Sequence, residues 1–204
     1  MRFLVAIVLV AAACSAAEPE PTVVTVPPPT VVEDSLAAIA SVDTAALHDL
    51  VEPEGLAILA GVENRVRSDE MVALLQTGLE GSLATGYWQS FRDDFAAIRG
   101  TPIDTLSVGG ERPEDLGPDY AAVVISGGGT DGVVVLRLSE EPGWQVDMIG
   151  TLGPAVVDSL VDYLESALGG ASGDVIAEAY RAAVLPGLDA AIILDPGNAS
   201  LVFS

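Results

Sequence analysis

The hydrophobic period of the chain changes at residues 100–102, and that change limits the folds open to it. Before it, apolar residues recur at helical spacing: Trp88, Phe91, Phe95 and Ile98 stand at i, i+3, i+7 and i+10, and Gly100 and Pro102 stop the pattern. After it the period is two. Residues 103–108, 120–126, 133–138 and 144–149 read as strands, joined by a Gly-, Pro- and acid-rich loop, then GGGTDG, then SEEPG. Short turns between successive strands predict an antiparallel meander. In the last strand Trp144, Val146 and Met148 alternate with Gln145 and Asp147, which predicts one buried and one wet face.

Upstream of the switch the chain predicts more helix. Ser35 is placed to cap a first helix carrying Leu36, Ile39, Ala40, Leu47 and Leu50, with Pro53 ending it. The apolar run GLAILAGV, residues 55–62, reads as a short buried strand. Ser68 and Asp69 open a segment with Met71, Leu74 and Leu75 that closes near Gly78. Downstream, Pro154 opens a helix with Val157, Leu160, Val161, Leu164 and Leu168 along its stripe. Asp174 caps another that ends near Leu185, before Pro186. The closing stretch, two apolar arms around Asp195-Pro196-Gly197-Asn198, predicts a hairpin.

The N-terminus addresses location. Arg2 precedes an apolar run from Phe3 to Val10, and Ala11, Ala12 and Ala13 lead into Cys14, the one cysteine of the chain. That order is the layout of a secretory signal, too short for a spanning helix of roughly 20 apolar residues. Small residues followed at once by cysteine resemble the lipobox of bacterial lipoproteins. The resemblance implies cleavage between Ala13 and Cys14, acylation of Cys14, and attachment to the extracytoplasmic face of a membrane. Ala11 stands where leucine is commonest in that family, and the n-region holds one Arg and no Lys. Ordinary secretion, with cleavage at a small-x-small site at 11–13 or 15–17, is the alternative. Residues 15–34 hold five prolines among Thr, Val and Glu and read as an extended tether. The organisation is therefore a signal at 1–13, an acylated cysteine and linker at 14–34, an α+β domain at 35–150, and a helical or hairpin extension at 151–204.

Helices, an aromatic-rich helix and then a strand run closing on Trp144, Val146 and Asp147 look like the NTF2-like (cystatin-like) α+β fold. That resemblance implies N-terminal helices packed on a curved antiparallel sheet around a cone-shaped pocket. Such pockets hold isomerase or cyclase chemistry in some relatives and no catalysis in many. Tyr87, Trp88, Tyr120 and Asp147, with Glu63, are the residues this fold would bring toward the pocket. Asp147 lines the cone if the cone is the wet side of the sheet, and is a solvated strand residue if it is not.

Charge excludes one class of function. Against 30 acidic residues stand 8 basic ones, all arginine, for a formal charge of −22, so nucleic acid and anionic headgroups are repelled. His48, the sole histidine, would have to serve any Ser/His/Asp chemistry. Gly127-Gly128-Gly129 joins two strands and opens no helix, so it is a turn and not a phosphate loop. The acidic pairs lack calcium-loop spacing, and no Cys/His set suits zinc. The sequence thus points to a lipid-anchored protein that binds a small apolar ligand or an envelope partner, without cofactor or metal. An enzyme using the cone, with Asp147 or His48 as base, is the alternative.

Overall fold

The computed structural model describes residues 26–167 and 173–194. Its architecture is α+β. Four antiparallel strands in the order β1-β2-β3-β4 form an open meander: β1 (Ser107–Glu111), β2 (Tyr120–Gly127), β3 (Thr130–Leu138) and β4 (Trp144–Val146). The β2–β3 hairpin pairs Gly127 with Thr130, leaving Gly128 and Gly129 as a two-residue turn with φ of 62° and 81°. Two successive left-handed residues are what a hairpin twisted with its strands requires, and glycine supplies them without steric cost.

Helix α1 (Pro28–Ser41) begins inside the expected tether. Pro27 is extended, and Pro28 and Pro29 fall in the first turn, where a missing N–H leaves no bond unmade. Ser35 is therefore not a cap. It lies buried mid-helix and its Oγ donates to the Val31 carbonyl at 2.7 Å. The expected single helix over 35–50 is two, because Val42 turns left-handed and Asp43 caps α2 (Thr44–Leu50), accepting from the Ala46 N–H at 3.1 Å. Val31, Val32, Leu36 and Ile39 bury against the sheet.

The run GLAILAGV is not a strand but the body of α3 (Pro53–Glu63). Pro53 starts this helix at its first position instead of merely ending the one before. Glu52 caps it, its carboxylate accepting from Glu54 N at 2.9 Å and Gly55 N at 2.6 Å. Every residue from Gly55 to Val62 is buried, so the helix has no polar face and shows no helical period. Helix α4 (Ser68–Thr77) and the long α5 (Gly81–Arg99) follow as expected, Gly100 closing α5 at φ 68°. Ile98 departs from the α5 stripe at 84% exposure. Ten residues beyond Trp88 a helix has turned about 80° away from the starting face.

Strand β4 stops at Val146, three residues short of the expected strand. Asp147 caps a short helix, α6 (Met148–Leu152), accepting from Gly150 N at 2.8 Å. Gln145 is buried, donating from Nε2 to the Asp49 and Val51 carbonyls at 3.1 and 3.3 Å, so neither face of β4 is wet. Helices α7 (Val157–Ala167) and α8 (Gly173–Ala179) lead into a π turn at Tyr180–Val184 and then α9 (Leu185–Leu194). Pro186 does not end the helical path. Its absent N–H releases the Ala182 carbonyl, four residues back, and Arg137 Nη1 on β3 donates to that oxygen at 3.0 Å. The first arm of the expected hairpin is helical as far as Leu194, and the second lies outside the described residues.

Helix α1 covers one face of the sheet, α6 runs along the β3 edge beyond β4, where Asp147 N donates to the Val135 carbonyl and Val135 N to Thr151 Oγ1, and α9 packs on α6 and β3. Residues 151–167 and 173–188 contribute Val157, Leu160, Ile176, Tyr180 and Leu188 to the same core as Val32 and Val123. The C-terminal helices are thus a second layer of the fold and not an appendage. Among the described residues no helix is long and apolar enough to cross a membrane.

Candidate functional site

Between α1, α5, the sheet and α6 lies a cavity of about 530 Å³, within the range of roughly 300–1,000 Å³ usual for small-molecule sites. Leu36 and Ile39 of α1, Phe91 and Phe95 of α5, Ile125 and Val134 of the sheet and Met148 of α6 make most of its wall. Three lining residues are polar: Ser35, Thr151 and Arg99. Ser35 gives its hydroxyl to the backbone of its own helix, and Thr151 Oγ1 accepts from Val135 N at 3.0 Å. Arg99 is the one charged group. It lies over the Phe95 ring, 5.7 Å from the centroid, and its Nη1 donates to Thr130 Oγ1.

The anticipated pocket residues divide into two groups, and neither lines this cavity. Tyr87 and Trp88 are core aromatics. Their rings meet edge-on at 5.2 Å, and Trp88 meets Phe91 at 5.6 Å, so they support the wall from behind. Burial pushes the Tyr87 phenol far above its ordinary value, with the charge of Glu63 adding to it. Glu63 itself is exposed at the end of α3.

Tyr120 and Asp147 come together at the β4–α6 junction, with Glu52 and Arg137 close enough to couple electrostatically. Asp147 is 1% exposed. One carboxylate oxygen caps α6, while Oδ2 has no hydrogen-bond partner among the described residues, and neither has the Tyr120 hydroxyl. Burial raises the Asp147 carboxyl, against the opposing pull of the Gly150 N–H and Arg137. Glu52 is raised by burial too, and the Asp147 charge adds to it. The Tyr120 phenol is pushed up to about 12 by burial, then by Asp147. Two buried acids capping adjacent helices is a structural arrangement with a pH signature.

Both carboxyls hold protons more tightly folded than unfolded. Their stabilising effect is complete below the ordinary values of 4.5 and 3.8 and is lost as pH rises through the folded ones. The unfolding midpoint is therefore expected to rise as pH falls toward the ordinary carboxyl range. Relaxed self-repulsion of a chain at −22 acts in the same direction. Asp147→Asn keeps the cap acceptor and removes the charge, so it should flatten the profile. Parallel profiles for wild type and variant, from thermal melts at each pH, would contradict the assignment.

His48 sits exposed on α2, beside a shallow surface hollow with Asp49, Pro53, Glu141 and Gln145. Among the described residues no group of three or more His, Cys, Asp or Glu could hold a metal. Cys14 lies outside the described residues. The sequence reading passed over Arg99, although its signal was present. Phe91, Phe95 and Arg99 stand at i, i+4 and i+8, one helical face ending in a cation. No family model, curated protein or solved structure matches the chain.

Proposed function

We propose that the chain is an extracytoplasmic protein, held at a membrane by a lipid on Cys14, whose folded part binds a small apolar ligand. The cavity between α1, α5 and the sheet carries this reading: it is roomy, apolar, and lined mostly by helices and strands. The N-terminal order of Arg2, apolar run, three alanines and Cys14 supports the anchor. The NTF2-like reading of the fold is part of the same proposal. It is supported by an antiparallel meander with a helix across one face and a cavity between them; the C-terminal helices are additional to that pattern.

The enzyme reading has less support. A base must reach the substrate, and of the two candidates Asp147 caps a helix away from the cavity wall while His48 lies exposed beside a separate surface hollow. The cavity's own hydroxyls, Ser35 and Thr151, are engaged with backbone.

Titration with the neutral dye N-phenylnaphthylamine tests the binding reading. One dye per chain with blue-shifted, enhanced emission is expected, and Val134→Phe, which grows a ring from the cavity floor, should weaken it about tenfold or more. Equal binding to the filled variant would place the dye elsewhere and remove the cavity's claim.

A further inference from the structure

Arg99 gives the cavity a polarity that an apolar ligand alone would not use. The guanidinium is built into its position. Gly132, opposite Ile125 on the cavity floor, leaves the space it occupies: a Cβ there would stand 2.6 Å from Arg99 Nη2. Gly128, in the left-handed turn, lets the hairpin pass the end of α5, where a Cβ would stand 2.4 Å from the Arg99 carbonyl. Phe95 holds the guanidinium face and Thr130 takes Nη1. Nε and Nη2 have no acceptor among the described residues.

The charge also lacks an ion pair. Arg67, Arg92, Arg112 and Arg181 each pair with a neighbouring carboxylate, at Asp69, Asp93, Glu114 and Glu178. Arg99, like Arg65 and Arg137, has no ion pair among the described residues, in a chain where acids outnumber bases 30 to 8. A cation at the end of a helix is favourable by itself. That effect needs no position over a cavity and no glycine on the facing strand.

We infer that the cavity takes a monoanionic amphipath, a straight-chain carboxylate whose apolar body fills the space and whose head pairs with the open edge of Arg99. A planar fork with two free donors suits a carboxylate through paired, charge-assisted hydrogen bonds. A single cation in a field of −22 disfavours multiply charged phosphates. The inference rests on the cavity being a binding site, and the test separates the two.

Dodecanoate, dodecanol and dodecyltrimethylammonium are titrated calorimetrically, each below its aggregation point, into wild type, Arg99→Gln and Arg99→Lys at about 0.15 M salt. Wild type should bind dodecanoate about tenfold tighter than dodecanol, the step one charge-assisted contact supplies, and the ammonium more weakly than either. Arg99→Gln should bind the two neutral and anionic ligands alike, with dodecanol unchanged, which also certifies an intact cavity. Arg99→Lys should keep part of the preference. If wild type holds dodecanol as tightly as dodecanoate, the head-group inference fails while the cavity stands. If Arg99→Gln weakens both ligands equally, Arg99 supports the wall and reads no head group. If wild type binds none of the three, both readings fall.

Discussion

Gly187→Ala is expected to destabilise the protein by roughly 2–3 kcal/mol and to lower its unfolding midpoint by about 4–12 °C. Gly187 lies on α9 directly against the N-terminus of α6. A Cβ there would stand 2.9 and 3.0 Å from the two Asp147 carboxylate oxygens and 3.0 Å from Gly150 N. Neither neighbour can withdraw. The carboxylate is fixed by its cap on α6, and Gly150 is wedged from behind, where its own missing Cβ would lie 2.8 Å from Val135 Cγ1. The methyl would have to push α9 off the sheet, and with it the C-terminal layer of the core. Gly86→Ala gives the opposite sign from the same chemistry. Gly86 lies in the exposed body of α5 with nothing within 4 Å of a Cβ. Alanine there should stabilise by about 0.5–1 kcal/mol through helix propensity and a less mobile unfolded chain. Thermal melts of both variants check the pair, and a neutral Gly187→Ala would show that α6 and α9 are not in close contact.

Cys14→Ala is expected to move the protein of its native host from the membrane fraction to the soluble one. Each buried methylene contributes about 0.8 kcal/mol, so two acyl chains hold a protein firmly where one gives only reversible attachment. Among the described residues no helix is long and apolar enough to span a membrane, and a chain at −22 is repelled by anionic headgroups. Intact mass completes the measurement. Wild type should carry diacylglyceryl mass on a chain beginning at Cys14, and soluble, unmodified wild type would favour ordinary secretion.

Much of the fold is legible in the residues, and the failures share a cause. The meander follows from apolar runs divided by turn residues, Gly128-Gly129 among them, and α4 and α5 follow from their apolar stripes and closing glycines. Helix α3 defeats the same reading because a helix buried on all sides has no stripe, leaving length and flanks as the only cues. The decisive cue was Glu52-Pro53-Glu54, a carboxylate cap with proline at the first position. Pro28 and Pro29 mislead in the same way: proline is read as a breaker, yet in a first turn it is free of cost. Pro186 is tolerated inside a helical path because Arg137, distant in sequence, satisfies the carbonyl it leaves open.

The site was less legible than the fold. Tyr120 and Asp147 lie close enough to couple electrostatically, but at a helix cap and not in the cavity. Choosing residues by their acid–base chemistry favoured groups that the core uses to terminate helices. The cavity is instead made by α1, which the composition of 28–34 disguised as tether, and by the Phe91-Phe95-Arg99 face of α5. Its character depends on packing between elements far apart in the chain, which no local pattern reports.

The central claim, that the cavity is occupied in life, is most directly tested by weighing the protein from its native host under non-denaturing and denaturing conditions. A single small molecule per chain, present in the first spectrum, gone in the second and absent from Val134→Phe, is the expected result. Identical masses under both conditions for wild type and variant would contradict it.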